Sequence, residues 1–324
     1  MLIVTNIERF PLTWRAGNGT SGTSVIARTT ADFLRHREAP GSVFVVNCDP
    51  PLTFRLAAAL WFRKSPDLIS VDLVLRRSEN FANRIALPGK RLLLKRIQHH
   101  IHHFRDVGPY CEVYGIKPDH CSFVPFKASL QFEEEFLPDG DGKYVLCFGR
   151  SMRDFDTFFN AMEKLEYPAA IPEPHFASFR EHGSRFTRPR NKLPPNVEVL
   201  PDDKSTEAQK RMLRDARLVV LPILKSSVVA SGIGTSLNAM RAGKCVIGTE
   251  GVGMSDIFNS EMLLAPPENP EALANVIRRA WEDSQLRQRT AEAGQRYARS
   301  LGGEQELYQR LIDDIAVLSS QEWR

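Results

Sequence analysis

Residues 218–249 read LVVLPILKSSVVASGIGTSLNAMRAGKCVIGT. LVVLPI has the length and apolar character of a buried strand. GTSLNAMRA at 234–242 predicts a helix closed by Gly243, and KCVIGT at 244–249 predicts the next strand. A strand, a helix and a strand in succession make a βαβ unit with parallel strands. Between the first strand and the helix run Ser231, Gly232, Ile233, Gly234, Thr235 and Ser236. Glycines let backbone approach a ligand closely, and a helix start offers unpaired N–H groups and the positive end of the dipole. In doubly wound sheets, ligands bind beyond the carboxyl ends of the strands, where this loop falls. These six residues are therefore candidates to hold a diphosphate, with a plain structural turn as the alternative. Lys225, just after the strand, is a second candidate, against the simpler reading of a solvated lysine.

The same alternation extends outward. YVLCFG from 144 predicts a strand, DTFFNAMEKL from 156 a helix capped by Asp156, and NVEVLP at 196–201 a strand. STEAQKRMLRDA predicts a helix capped by Ser205. Leu273, Val276, Ile277, Ala280 and Trp281 recur at helical spacing, as do Leu307, Leu311, Ile312 and Ile315. Nearer the start, LIVT at 2–5, VFVVNC at 43–48, DLISVDLVL at 67–75 and CSFVPF at 121–126 read as strands. ARTTADFLRH reads as a helix behind a glycine-rich loop, Gly17–Gly22. The expected organisation is an α/β protein of two doubly wound domains, at 1–130 and 144–300. A polar, acidic linker at 131–143 separates them, and a C-terminal helix lies in 301–324, with a return to the first domain as one option.

Composition narrows the class. With 42% hydrophobic and 25% charged residues, the chain has enough apolar content for packed cores and too much charge for a membrane bundle. No run of about 18 apolar residues occurs, and MLIVTNIERF lacks the pattern of a signal peptide. The five cysteines are scattered without C-x-x-C spacing, so reduced thiols and a cytoplasmic location are expected. The net charge of +4 is uneven. Residues 1–127 hold 18 Lys and Arg against 10 Asp and Glu, leaving the remainder with an excess of four acidic residues.

Four segments in order carry a family resemblance: FGRSMRDFDTFFNAMEKL, NVEVLPDD…MLRDARLVVLP, NAMRAGKCVIGTEGVGMSDI and LLAPPENPEALANVIRRAWED. Over about 150 residues the chain resembles the C-terminal domain of GT-B glycosyltransferases, particularly the group 1 (family 4-type) enzymes. The resemblance implies two Rossmann-like domains facing a central cleft. It also implies transfer of a sugar from a nucleotide-diphosphate donor to a glycan or lipid-linked acceptor. It places Gly149 and Arg150 at the cleft, with Arg150 clamping the diphosphate and acting in catalysis. Glu250, Gly251, Gly253 and Asp256 fall beside the donor pocket or simply form a turn. Retaining members carry two glutamates seven residues apart; this chain has Asn238 at the second position and Ala230 near the first. Asn238 offers a ribose hydroxyl an amide, not a charge. Stereochemistry is thus left open. No metal or cofactor is expected, since cations and helix-end N–H groups can neutralise a diphosphate. The alternatives are a nucleotide-sugar 2-epimerase and a catalytically inactive binding subunit.

In the first half, Asp49 and Asp72 end or follow predicted strands. An inverting transferase needs a base for the acceptor proton, and either aspartate could serve, against capping or turn roles. KRLLLKRIQHHIHHF at 90–104 reads as a basic amphipathic helix, with Leu93, Leu94, Ile97, Ile101 and Phe104 along one side. Lys90, Arg91, Lys95 and Arg96 cluster at one end. Its four histidines lack a carboxylate or cysteine at ligand spacing, so a metal site is not expected. The stretch is a candidate for an anionic membrane surface on the inner face, aided by Trp61, Phe62, Arg63 and Lys64, with core packing as the alternative. Nucleic acid is not an expected partner, because no aromatic platform is interleaved with the charges.

Overall fold

The computed structural model describes residues 1–75, 81–132, 142–226 and 228–320. The acidic centre of the expected linker, the D-G-D at 139–141 and the last four residues lie outside them. The chain divides into two units, residues 126–303 forming one and the residues on either side the other.

In the first unit, β1 (Leu2–Thr5), β2 (Thr13–Arg15), β3 (Ser21–Ile26), β4 (Ser42–Asn47), β5 (Asp67–Val71), β6 (His99–His102) and β7 (Cys121–Phe123) form one sheet, ordered β2-β3-β1-β4-β5-β6-β7. Every pairing is parallel except β2 with β3. The glycine-rich stretch is therefore a β-hairpin rather than a loop leading into a helix. Gly22 is required there, because a Cβ would lie 2.0 Å from the Met1 carbonyl and 2.6 Å from the Trp14 ring. The helices are α1 (Thr30–Leu34), α2 (Pro50–Ala59), α3 (Phe81–Leu94) and α4 (Gly108–Tyr114).

The stretch 90–104 is not one amphipathic helix. α3 ends at Leu94, and β6 follows with all four residues buried. Leu94, Ile97, Ile101 and Phe104 belong to the core. Arg96 is buried too, donating to the carbonyls of Leu60 at 2.8 Å and Pro66 at 3.0 Å. Arg91 donates to the Val113 carbonyl. Burial against the sheet has overridden the helical spacing, and these two arginines hold backbone instead of lipid.

The second unit contains β8 (Tyr144–Cys147), β9 (Ala169–Pro172), β10 (Val197–Leu200), β11 (Ala216–Leu221), β12 (Cys245–Thr249) and β13 (Leu263–Ala265), ordered β10-β9-β8-β11-β12-β13 and wholly parallel. Around it pack α5 (Phe155–Met162), α6 (Phe176–Glu181), α7 (Thr206–Asp215), α8 (Ile233–Arg241), α9 (Pro270–Glu282) and α10 (Ser284–Ser300). Phe155, Phe158 and Phe159 of α5 are fully buried, each worth about 1.5–3 kcal/mol by area removed from water. The cap of α5 is Asp154, which accepts from Thr157 N–H at 3.1 Å. Asp156 instead holds Thr187, accepting its N–H at 2.9 Å. Ser205 caps α7 as expected. The last helix, α11 (Glu304–Ser320), belongs to the first unit. There Asp313 accepts from Gly17 N–H, Asp314 from the Ser122 hydroxyl, and the Tyr308 ring packs 5.5 Å from that of Phe10.

The division falls between residues 125 and 126, slightly ahead of the expected 130. Asn238 on α8 supplies the reason. Its Oδ1 accepts from the N–H groups of both Ser129 (2.7 Å) and Leu130 (2.9 Å), tying this segment to the second unit.

Candidate functional site

In the second unit the chain runs outward from β8 through β9 to β10, then crosses to β11 on the other side. The point where β8 meets β11 is thus the switch in strand order, where the loops diverge and leave a crevice at the carboxyl ends. A cavity of about 370 Å³ opens there, large enough for a small ligand. Gly149, Arg150 and Arg153 line it from the turn after β8, and Gly232, Thr235 and Asn238 from the start of α8.

The turn after β8 is built around Arg153. Gly149 (φ 112°) and Met152 (φ 54°) both adopt left-handed backbone, a cost that non-glycine residues bear mainly at functional sites. The resulting curl brings the guanidinium back on the turn. Its Nε donates to the Phe148 carbonyl at 2.9 Å and its Nη1 to the Ser151 carbonyl at 3.0 Å. Gly149 has to be glycine, since a Cβ would lie 2.4 Å from Arg153 Nη2. Gly232 (φ 92°) faces the same group, its Cβ position 3.0 Å from Nη1. Ser184 fastens the turn: its Oγ accepts from Arg153 N–H and donates to the Arg150 carbonyl. Arg185 pairs with the buried Asp154, so that carboxylate is already neutralised.

Arg153 is 1% exposed, and burial pulls its guanidinium down to about 10, still fully protonated near neutrality. Among the described residues no carboxylate pairs with it; its own bonds go only to neutral carbonyls and Ser184. A buried cation without a counter-charge is costly unless an anion completes it. Directly across, Gly232 caps α8 without a side-chain hydrogen bond, leaving the Ile233, Gly234 and Thr235 N–H groups without intrahelical partners. Cation and helix dipole converge on one cavity. That combination binds a phosphate or diphosphate.

Residues 190–297 match the family described as Glycosyl transferases group 1. No curated protein sequence matches the chain. Among solved structures, a sucrose-phosphate synthase from Thermosynechococcus elongatus superposes with a TM-score of 0.68 at 15% identity, over 98% of this chain and 88% of that one. HepE from Anabaena, in complex with UDP and glucose, gives 0.64 at 15% identity, over 85% of this chain and 78% of that one. A glycosyltransferase from Rickettsia africae gives 0.62 at 12%, over 93% and 86%. The fold is GT-B, with two Rossmann-like α/β units of parallel sheet.

On this GT-B frame the expected donor residues part company. Gly149, Arg150, Gly232, Thr235 and Asn238 share the cavity wall. Lys225 is exposed on the turn after β11 and does not line it. Ser231, Ile233 and Ser236 are buried side chains, and Ser236 Oγ lies 3.9 Å from Met254 Sδ, so their side chains serve packing while the helix start supplies the amides. Gly234 faces a ring, with its Cβ position 3.2 Å from Phe126. Asn238 spends its carbonyl oxygen on Ser129 and Leu130, leaving only its amide hydrogens for a ligand. Glycines 251 and 253 make a turn, donating to Ser255 Oγ and Asp256 Oδ1. Arg150 is exposed at the mouth of the cavity. Arg153 was not singled out from sequence; its only signal was a second arginine three residues after the first.

In the first unit, Asp49 is the N-cap of α2, accepting from Leu52 N–H at 2.9 Å. Asp72 follows β5 in left-handed backbone (φ 45°), and its carboxylate has no hydrogen-bond partner among the described residues. The loop behind it is pinned by Tyr110 and Tyr114, whose hydroxyls donate to the Leu73 and Leu75 carbonyls at 2.8 Å. Burial, with Asp72 adding to it, pushes the Tyr110 phenol well up.

The histidines of 99–103 are buried together. His100 Nδ1 lies 2.8 Å from Ser70 Oγ, and His103 Nδ1 2.7 Å from the Val124 carbonyl. Burial lowers His99 to about 4 and His102 to about 3, so those two imidazoles are neutral core groups. Among the described residues no group of three or more His, Cys, Asp or Glu is placed to hold a metal ion. Nor is any described helix long and apolar enough to cross a membrane.

Proposed function

We propose that this chain is a glycosyltransferase that takes a nucleotide-diphosphate sugar as donor and passes the sugar to a glycan or lipid-linked acceptor. The observation that carries the reading is the uncompensated Arg153 guanidinium facing the open start of α8 across one cavity. In transfer, the acceptor oxygen bonds to the anomeric carbon while the bond from that carbon to the diphosphate oxygen breaks. Negative charge then grows on the leaving diphosphate. Arg153 and the α8 amides are already oriented towards it, so no solvent has to reorganise as that charge develops. Arg150, at the mouth, adds a second cation. These groups can do the neutralising that a metal ion does elsewhere.

The acceptor must lose a proton, and Asp72 is the better of the two aspartates for it. Asp49 gives its carboxylate to the α2 cap, whereas that of Asp72 is not engaged by any described residue. Neither retaining glutamate position carries a carboxylate, which favours an inverting outcome through a single displacement. A panel of sugar nucleotides, followed for transfer and for slow donor hydrolysis, tests the reading. Free epimer would point to a 2-epimerase, and tight binding without turnover to an inactive subunit.

A surface in the first unit supports a lipid-linked acceptor at an anionic cytoplasmic face. Phe62 is 98% exposed and is followed by Arg63 and Lys64; Ile85 and Leu92 are exposed on α3, which packs beside α2. Exposed apolar side chains among cations suit peripheral attachment.

A further inference from the structure

Arg150 and Arg153 reach the cavity from one turn, and a single hydroxyl joins them. That hydroxyl belongs to Ser184, whose place is set by the end of α6. There Gly183 turns left-handed (φ 70°), and the N–H groups of Gly183 and Ser184 donate back to the Arg180 and Phe179 carbonyls at 3.2 Å and 2.8 Å. This paired closure is a Schellman cap, which glycine permits and which fixes the backbone of the residue after it.

The turn is held on two sides. From residues 182–185, the His182 carbonyl accepts from Met152 N–H at 3.0 Å, and Arg185 N–H donates to the Arg153 carbonyl at 2.7 Å. From the stretch after β11, Leu224 N–H donates to the Met152 carbonyl and the Pro222 carbonyl accepts from Asp154 N–H, both at 2.9 Å. These are backbone bonds, which do not depend on the side chains present. Arg153 N–H is different: it donates to Ser184 Oγ at 2.8 Å, and the same Oγ donates to the Arg150 carbonyl at 2.5 Å. One side chain thus ties Arg150 to Arg153 across Met152, whose left-handed backbone (φ 54°) persists only where its surroundings hold it. Without the hydroxyl, the Arg153 N–H is left unmet and the turn loses the link between its two cationic residues. Ser184 itself does not line the cavity.

We propose that Ser184 is a positioning residue for the diphosphate: it touches no ligand, and it acts by keeping Arg153 and Arg150 in one register, so that both cations meet the same anion. The assignment rests on the donor reading above and adds to it how the clamp is kept assembled. Charge that is oriented in advance stabilises a leaving group without reorganisation, and a small misplacement of such groups forfeits much of the effect.

The test is a double-mutant cycle on the full chain, read by calorimetric titration with inorganic pyrophosphate at low ionic strength. Ser184→Ala should still melt cooperatively, because the α6 cap is made by backbone, yet bind pyrophosphate about tenfold more weakly, the loss of one hydrogen bond. Ser184→Thr, which keeps the hydroxyl, should recover most of that affinity. In an Arg153→Gln background the same Ser184→Ala change should cost about threefold at most, because the guanidinium it positions is gone. If Arg153→Gln binds too weakly to titrate, the cycle is read from the rise in melting temperature that millimolar pyrophosphate produces. Equal losses in both backgrounds would mean that Ser184 only stabilises the unit, and would overturn the proposal. So would unchanged affinity in Ser184→Ala when Arg153→Gln binds poorly. If wild-type protein ignored pyrophosphate, or Arg153→Gln bound it normally, the diphosphate reading would fall first and the role of Ser184 with it.

Discussion

The buried imidazoles of β6 and the buried guanidinium of Arg153 are treated by burial in opposite ways. In β6 the imidazoles of His99, His100 and His102 give up their charge, because desolvation lowers them below the physiological range. They become apolar core with a few hydrogen bonds. Arg153 lies just as deep, but a guanidinium lowered to about 10 stays charged. The chain offers it carbonyls but, among the described residues, no counter-charge, and an anion in the cavity would supply one. A buried group that can discharge is therefore evidence of packing, while a guanidinium that stays charged, pairs with no carboxylate among the described residues and lines an open cavity points to a ligand. The cluster of histidines that stands out in the sequence is structural, and a single arginine carries the site.

The largest expected effect tests the charged half of this comparison. Arg153→Gln should lower kcat/KM for sugar transfer by about 10²–10³, as loss of a preorganised oxyanion contact does. Arg153→Lys should recover little, because an ammonium cannot reproduce the planar fork held by the Phe148 and Ser151 carbonyls. Rates within a few-fold of wild type, in protein that melts normally, would remove Arg153 from the mechanism.

The neutral half predicts an acid weakness. The folded-state pKa values of His99 and His102 lie below the unfolded value of about 6.5, so the unfolded chain binds more protons as the pH falls. Their contribution is present above pH 6.5 and is lost as the pH falls, down to about 4 for His99 and about 3 for His102, each contributing up to about 1.4 kcal/mol per pH unit. Urea titrations at pH 7.5 and 5.0 should show this loss, and His102→Phe should flatten it. A pH-independent midpoint would show that these imidazoles are not held neutral.

The two loop glycines sharpen the comparison further. Gly232→Ala forces a Cβ towards Arg153 in left-handed backbone, whereas Gly234→Ala meets only the Phe126 ring. The first should weaken nucleotide affinity clearly, and the second should mainly lower the melting temperature by a few degrees. Equal effects on affinity would argue that the site is centred on the helix alone. The smallest effect is expected at the exposed patch: Arg63→Glu with Lys64→Glu should reduce sedimentation with anionic vesicles at low salt, at about 1 kcal/mol per cation. Lys95→Glu should do less, and Arg96→Glu should unfold the unit because Arg96 holds the Leu60 and Pro66 carbonyls.

Much of the α/β alternation was legible because its strands are continuous apolar runs and its helices carry large residues at helical spacing. α10 was not, since its buried face joins small Thr290, Ala291, Gly294 and Ala298 to polar Arg287 and Gln295. Small residues let it approach α8 so closely that a Cβ on Gly294 would lie 2.9 Å from Met240. β9 escaped notice because AAIP is short and half alanine. β6 was misread as helix: a fully buried strand has no alternation, and its flanking leucines and isoleucines kept a helical period. The site was legible as a loop but not as a charge. Nothing in the spacing of Arg150 and Arg153 shows that Met152 turns left-handed and sends the second arginine inward.

The central claim is that a nucleoside diphosphate sits between Arg153 and the start of α8. Amide hydrogen exchange with and without the preferred nucleoside diphosphate tests it most directly. The account predicts added protection at Ile233, Gly234 and Thr235, whose N–H groups have no intrahelical partner, and no change across β6. Binding that leaves those three amides exchanging as fast as before would contradict it.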